Sequence, residues 1–527
     1  MKPAVFHELL GERHFAKVQP ATFVNLTQRY RNQDAAKTVS LDKLNNAEWK
    51  SYFGLFVPFP NSFKSPLALC YHGHQFGSYN PYIGDGRGFL YAQLIENKTK
   101  RLMDLGTKGS GKTPFSRSGD GRLTLKGAFR EVLASEYLIA LGVNTCKILS
   151  VFETEEKLQR QDEPSPARAA VLVRLSHSHI RIGSFQRLAY LNQHEEILKL
   201  ARYVVKYYYP KIDYNFAPKE LLKHLLKSLV ENVAEMVAGW MSSGFVHGVL
   251  NTDNFNLTGE SFDYGPWRFL VKMDFNFTAA YFDHDERYSY GKQPEAALWA
   301  LCRFADCLVE FVSEKELEKE LFEFYPKMQS ALFKKLCWRF GVLPPADIKE
   351  DVFISLFFNA TSKSKINLDY LFHKYYAGFE PKTLQIESKE IIPLLELLSV
   401  QKARQAFRPE YFDNSLGSSL SIDEVEDIIL VGGSTRIPAV KASINRVFKK
   451  EHVEAEAALR WSVCKKCEYL DTKGSGCLVP GTQPCCSECG CSLGLKTRSL
   501  SSDCPKGKWI ALISEEQEDL LNKHKNK

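Results

Sequence analysis

The sequence predicts an α+β fold of the protein-kinase-like, two-lobed type, with a small zinc-ribbon-like cysteine cluster near its C-terminal end. Three observations predict it. The stretch Val246 to Pro266, VHGVLNTDNFNLTGESFDYGP, lies over the kinase catalytic loop H-R-D-L-x-x-x-N and the D-F-G that follows, with His247, Leu250 and Asn254 on H, L and N and Asp263-Tyr264-Gly265 on D-F-G. Glycine-punctuated strand patterns precede residue 190, and helical patterns dominate from there to about residue 410. Eight of the thirteen cysteines crowd between Cys464 and Cys504. The expected organisation is a nucleotide-binding lobe over 1–190, a helical catalytic lobe over 191–410, a strand–turn–helix segment over 411–455, a cysteine-rich module over 456–510 and a charged tail over 511–527.

Bulk composition excludes some classes. At 527 residues, 44% hydrophobic and 25% charged, the chain has the makeup of a globular protein large enough for more than one domain. A net charge of +7 spread over this length gives no basis for a nucleic-acid partner. No apolar run is long enough to span a bilayer, and MKPAVFHELLGERHFAKV has neither a signal-peptide nor a transit-peptide pattern, so a cytoplasmic protein is expected. The composition does not set an oligomeric state.

Residues 1–65 are mostly polar, broken by Pro20, Pro58 and Pro60, and are expected to wrap a core. Tyr71 to Leu94 holds the cluster Gly84-Asp85-Gly86-Arg87-Gly88 before a strand pattern, Phe89 to Gln93. Glycines there can serve a phosphate loop or a hairpin turn, because both need close backbone approach. His72 and His74 have metal-like spacing but no third ligand nearby. Leu102 to Arg122 satisfies G-x-x-x-x-G-K-T with Gly106, Gly111, Lys112 and Thr113. That motif needs a helix beginning at its Lys-Thr, and Pro114, Gly119, Asp120 and Gly121 give no helical pattern. Lys108, at the end of the strand pattern Arg101 to Leu105, is the better nucleotide lysine.

Leu125 to Leu141 is strongly helical and carries Glu131 and Glu136, either a partner for the lysine or surface charge. Ala170 to Leu175 reads as a buried strand with Arg174 inside it and Arg181 seven residues on. A guanidinium leaving an apolar strand needs an anion, either a phosphate or a carboxylate. Leu221 to Trp240 is an amphipathic helix leading into the catalytic stretch, and Gln293-Pro294 starts another.

The catalytic stretch departs from the kinase pattern at one position. Val249 stands where a kinase has its proton-accepting Asp, and a carboxylate appears instead at Asp253. GVLNTDNFNLTGESFDYGP, with YHGHQFG, GDGR and SRSGDGR before it, resembles the selenoprotein O family, kinase-like proteins that bind ATP flipped and transfer AMP rather than phosphate. Ordered matches run over roughly residues 60–400. The resemblance implies nucleotide contacts by Gly84, Gly86, Arg87, Asp120 and Gly121, a Lys108–Glu131 pair, and a triphosphate held by Arg174 and Arg181. It implies Mg²⁺ or Mn²⁺ on Asn254 and Asp263, Asp263 also facing the nucleotide, and Asp253 as the catalytic base. Protein substrates bearing Ser, Thr or Tyr hydroxyls are the implied partners. A non-catalytic ATP-binding scaffold and an ordinary kinase are the alternatives.

Beyond residue 400 the resemblance thins. Asp427 to Val440, DIILVGGSTRIPAV, looks like a segment of the heat-shock chaperone ATPase, without that fold's other phosphate loops. Cys464-x2-Cys467, then eighteen residues, then Cys486-x2-Cys489 fits a four-cysteine structural Zn²⁺ site, with Cys477, Cys485, Cys491 and Cys504 left over. Disulfides and free thiols are the alternatives there.

Overall fold

The computed structural model describes residues 1–161, 163–376, 388–399, 460–461, 463–473, 484–489, 491–493, 504–506 and 508. The strand–turn–helix segment expected at 411–455, with its chaperone-like stretch at 427–440, the charged tail expected at 511–527 and Cys477 lie outside them. Two compact units divide the chain, Met1–Glu426 and Asp427–Lys527.

In the first unit the strands come early. They are β1 (Pro3–Ala4), β2 (Phe15–Lys17), β3 (Thr27–Arg31), β4 (Leu67–Leu69), β5 (Gly73–Gln75), β6 (Ser78–Asn80), β7 (Leu90–Ile95), β8 (Leu102–Lys108), β9 (Leu123–Thr124), β10 (Lys147–Leu158) and β11 (Ala167–Ser176). Helices α1 (Gln33–Thr38), α2 (Asn46–Phe53) and α3 (Leu125–Ala140) interrupt them. Nine strands make one antiparallel sheet along the order β2-β4-β7-β8-β11-β10-β3, with β1 on β7 and β9 on β11, while β5 and β6 form a separate hairpin.

From Ile182 the chain is mainly helical: α4 (Ile182–Tyr190), α5 (His194–Tyr208), α6 (Pro218–Ser243), α7 (Gln293–Ala305), α8 (Glu314–Phe322), α9 (Phe324–Arg339), α10 (Glu350–Ser364), α11 (Leu368–Lys374) and α12 (Ile392–Ser399). A short pair, β12 (Phe245–His247) and β13 (Trp267–Phe269), brackets the catalytic stretch. The long α6 begins with Pro218 in its first turn and stops at Gly244, whose φ of 65° reverses the chain straight into β12.

The central register sorts chemistry from core. Across β8 and β11, Leu105 faces Leu175 and Thr107 faces Val173, while Gly106 faces Arg174 and Lys108 faces Leu172. Strand residues alternate between faces. One face therefore sends Met103, Leu105, Val171, Val173 and Leu175 into a core with Trp49 and Phe53 of α2. The opposite face carries Asp104, Gly106, Lys108 and Arg174. The strand and helix patterns expected around residues 89–93, 101–105, 125–141, 170–175 and 221–240 are all present with shifted ends, the second running on to Lys108 itself. The first 65 residues hold more than a wrapping segment, because Trp49 is fully buried and donates its Nε1–H to Ser150 Oγ at 3.0 Å.

Candidate active site

Lys108 ends β8 and is 6% exposed. Its ammonium bonds Glu131 Oε1 from the middle of α3 and Asp263 Oδ1 at 2.7 Å. The helix is fixed over the sheet by its cap, Thr124, whose hydroxyl accepts the Gly127 N–H at 3.1 Å. Of the two glutamates on α3, Glu131 meets the lysine. Glu136 instead accepts hydrogen bonds from Tyr30 at 2.7 Å and Asn32 at 2.8 Å.

Arg174 and Arg181 are both buried and both turn toward carboxylates. Arg174 lies 3.4 Å from Asp263 Oδ1, and Arg181 lies 3.3 Å from Asp85 Oδ1. Both guanidinium groups stack over the Phe262 ring at 5.2 Å, and Arg181 also lies 4.3 Å from the Tyr71 ring. The Nε of Arg181 is buried with no hydrogen-bond partner, a donor with unused capacity. Burial pushes the Asp263 carboxyl upward, but Lys108, Arg174 and Arg181 outweigh it and hold the group well below the usual range. Asp263 also adopts φ of 64°, a left-handed conformation uncommon for a non-glycine residue.

Asp253 sits in the single turn Thr252–Asn254. Its Oδ1 is buried without a hydrogen-bond partner, and burial pushes its carboxyl up to about 6 despite Arg181 nearby. Gly73 permits this placement, since a Cβ there would stand 2.8 Å from Asp253 Oδ1. The turn is tied to the β5–β6 hairpin, with His74 N–H donating to Thr252 Oγ1 at 2.8 Å and Phe76 N–H to Asn251 Oδ1 at 3.0 Å. Asn254 donates its side-chain N–H to the carbonyl of Val249 at 2.9 Å. His247, buried beneath, approaches the Phe262 carbonyl at 3.2 Å and so links the loop to the segment bearing Asp263.

These groups converge on one cavity of about 590 Å³, a volume that suits a small-molecule ligand. Gly84, Gly86, Arg87, Lys108, Asp120, Gly121, Arg174, Arg181, Asp253 and Asp263 all line it. Glu131 stands behind Lys108, and Asn254 neighbours Asp253 in the chain. The glycines have steric reasons: a Cβ at Gly84 would strike the Phe115 ring at 2.5 Å, and one at Gly86 the Phe115 carbonyl at 2.9 Å. Asp120 is engaged by Arg160 at 2.8 Å and by the Arg122 N–H at 2.9 Å. No helix starts at Lys112-Thr113, where a P-loop would need one, and Gly106 lies inside β8. His72 and His74 pair with Tyr79 and Gln186, at 2.8 Å and 2.7 Å.

Sequence reasoning passed over Tyr71, Gln75, Asp85 and Phe262. Tyr71 and Gln75 stand in the same glycine-rich stretch as the loop, and Asp85 lies between two of its glycines, so the signal was adjacent. In the second unit Cys464, Cys467, Cys486 and Cys504 line one small cavity, Cys489 is not among its lining residues, and Cys485 is disulfide-bonded. Among the described residues no group of three or more His, Cys, Asp or Glu is arranged to hold a metal ion, so a zinc ribbon is not shown. No helix of the described residues is long and apolar enough to cross a membrane.

Comparison with known proteins gives one consistent match. The sequence model of the family described as "Protein adenylyltransferase SelO" matches residues 3–456, well beyond the legible motifs at both ends. The chain is 47% identical over 323 residues to "Protein nucleotidyltransferase YdiU" of Synechocystis sp., covering 61% of this chain and 66% of that one. Proteins of the same name from Trichormus variabilis and Gloeobacter violaceus are 41% and 51% identical over 402 and 290 residues. Those matches cover 73% and 54% of this chain, and 79% and 58% of the relatives.

Proposed function

The chain belongs to the SelO family of protein adenylyltransferases, and on that premise we propose that it transfers AMP from ATP to Ser, Thr or Tyr hydroxyls of other proteins, with ATP bound flipped. The observation that carries this reading is Asp253: a carboxylate with an unpartnered buried oxygen opens into the same cavity as the buried cations, while Val249 occupies the kinase base position.

In this reading residues 1–190 form the nucleotide lobe and 191–410 the catalytic lobe. Lys108, oriented by Glu131, and Arg174 and Arg181 position the triphosphate, arginine forks matching phosphate oxygens. Gly84, Gly86, Arg87, Asp120 and Gly121 shape the cavity around the rest of the nucleotide. Asp253 accepts the proton as the substrate oxygen attacks the α-phosphorus, and the bond to the β-phosphate oxygen breaks to release pyrophosphate. The hard oxygen donors of Asn254 and Asp263 fit Mg²⁺ or Mn²⁺, which would supply neutralisation of phosphate charge. For the cysteine module we propose a structural Zn²⁺ on Cys464, Cys467, Cys486 and Cys489; three of these share a cavity, and metal analysis of the purified protein tests it.

The deciding experiment supplies ATP labelled at the α- or the γ-phosphate and follows label onto protein. Transfer from the α-position alone is expected. Transfer from γ alone would make the protein a kinase, and ATP binding with no transfer would make it a scaffold.

A further inference from the structure

Gln186 is a buried amide, 5% exposed, in α4 beside the turn that bears Asp253. Its side chain closes a ring of hydrogen bonds. Thr252 donates its hydroxyl to Gln186 Oε1 at 2.5 Å, and the Gln186 side-chain N–H donates to His74 Nδ1 at 2.7 Å. The His74 backbone N–H returns to Thr252 Oγ1 at 2.8 Å. The directions agree with one another. With its oxygen toward Thr252, Gln186 turns its nitrogen to His74, whose Nδ1 accepts and whose ring proton sits on Nε2.

The ring joins the turn to the hairpin beside it. Thr252 immediately precedes Asp253 and is fully buried. His74 is the middle residue of β5, and Gly73 before it lies against Asp253. Tyr79 of β6 donates its hydroxyl to the Gln186 carbonyl at 3.2 Å, so both strands of the hairpin are pinned at one residue. The helix is seated closely there. The His72 N–H donates to the Gly183 carbonyl at 3.1 Å, and a Cβ at Gly183 would stand 2.0 Å from the His72 carbonyl oxygen.

The same helix grips the turn from its other side. Ile182 donates its N–H to the carbonyl of Phe255, the residue that closes the Thr252–Asn254 turn, at 3.0 Å. Arg181 is the N-cap of α4. One short helix therefore carries a phosphate-binding cation at its start and holds the turn of the base at both ends, through Ile182 and Gln186. A side-chain network that is fully bonded in a buried setting is rigid.

We infer that Gln186 is a positioning residue for the transfer reaction: it holds the Thr252–Asn254 turn at a fixed offset from Arg181, so that Asp253 meets the attacking hydroxyl while Arg181 holds the triphosphate. This rests on the AMP-transfer reading and adds to it the residue that sets the base relative to the phosphate. Gln186 is not among the residues lining the cavity and acts through Thr252 and His74.

The test uses the full chain. Gln186→Leu keeps the bulk of the side chain and removes both of its bonds. The kcat for transfer of α-label should fall by about 10- to 100-fold, because a displaced base loses its reach. The KM for ATP should stay unchanged, because Arg181 keeps Asp85, Tyr71 and Phe262. Thr252→Val cuts the ring on its other side and should reproduce the loss. In an Asp253→Ala background Gln186→Leu should not lower the residual rate further, whereas a residue acting on the fold at large would lower both backgrounds alike. Hydrogen exchange reads the same role without turnover: amides of 73–77 and 250–256 should exchange faster in both variants, with those of β8 unchanged. An undiminished effect in the Asp253→Ala background, a rise in the KM for ATP in place of the fall in kcat, or unchanged exchange at the turn would each overturn the positioning role. No transfer by the native chain, with faster exchange at the turn in both variants, would sink AMP transfer and leave Gln186 as the residue that holds the turn.

Discussion

The Nε–H of Arg174 donates to Nε2 of His179 at 3.2 Å, so the imidazole acts as an acceptor and carries its proton on Nδ1, toward Asp104. Burial keeps His179 below its usual titration range and hence neutral, as an acceptor must be. Asp104 in turn accepts Gln93 at 2.8 Å and the His179 backbone N–H at 3.0 Å. A cradle in the sheet receives the ring, for a Cβ at Gly106 would stand 2.1 Å from Nε2. His179→Ala should leave Arg174 without its rear partner and weaken ATP binding by about 1–2 kcal/mol, checked by calorimetric titration of ATP.

Asp253→Ala should lower AMP transfer by about 10²- to 10⁴-fold while ATP still shifts the melting temperature. A base works only when ionised. With its carboxyl pushed up to about 6, transfer should fall as pH drops below that value and level off above it. Initial rates across pH on a stable protein check both.

Glu131→Ala should destabilise the fold by about 3–5 kcal/mol, since it strands the buried Lys108 beside only one carboxylate. Lys108→Met in the same chain should recover part of the loss, and a double-mutant cycle in urea measures the coupling.

Trp49→Ala should cost about 3–5 kcal/mol, from the cavity left under the sheet and the orphaned Ser150 hydroxyl. Chemical denaturation reads it, and a near-neutral result would mean the first 65 residues do not belong to this core.

Glu260 is buried, accepts the His177 N–H at 2.8 Å, and is pushed up to about 7 by burial. The folded protein therefore holds a proton that the unfolded chain releases above the usual glutamate value of 4.5. Stability from this group is present below that value and is lost as pH rises toward 7, by about 2–3 kcal/mol. Glu260→Gln should flatten that slope, so the variant gains on the native protein between about pH 5 and pH 8 in thermal melts.

The parts of this chain that were legible are those where one residue type has one physical use. Lysine at a strand end, arginines inside an apolar strand and glycines at a close approach each announce a constraint, and Lys108, Arg174, Gly84 and Gly86 all reach one cavity. Helical pattern alone left Glu131 and Glu136 open; the family resemblance pointed to Glu131, and the two have different partners in the structure. The first 65 residues were opaque because β1 to β3 are two to five residues long, too short for periodicity to register. His179 was opaque for another reason: its role depends on a cross-strand glycine seventy-odd positions earlier, and only pairing brings Gly106 opposite Arg174.

That pairing sets where the chain can tolerate insertions. Lys108 and Arg174 share a face only because β8 and β11 keep their register, and side chains alternate with each step along a strand. One residue added within either strand would turn its cation to the opposite side, among the buried apolar residues. The connection at 159–166, between β10 and β11, carries no such parity and can lengthen at small entropic cost. Length variation between relatives should therefore gather in that connection, with β8 and β11 holding a fixed count of residues.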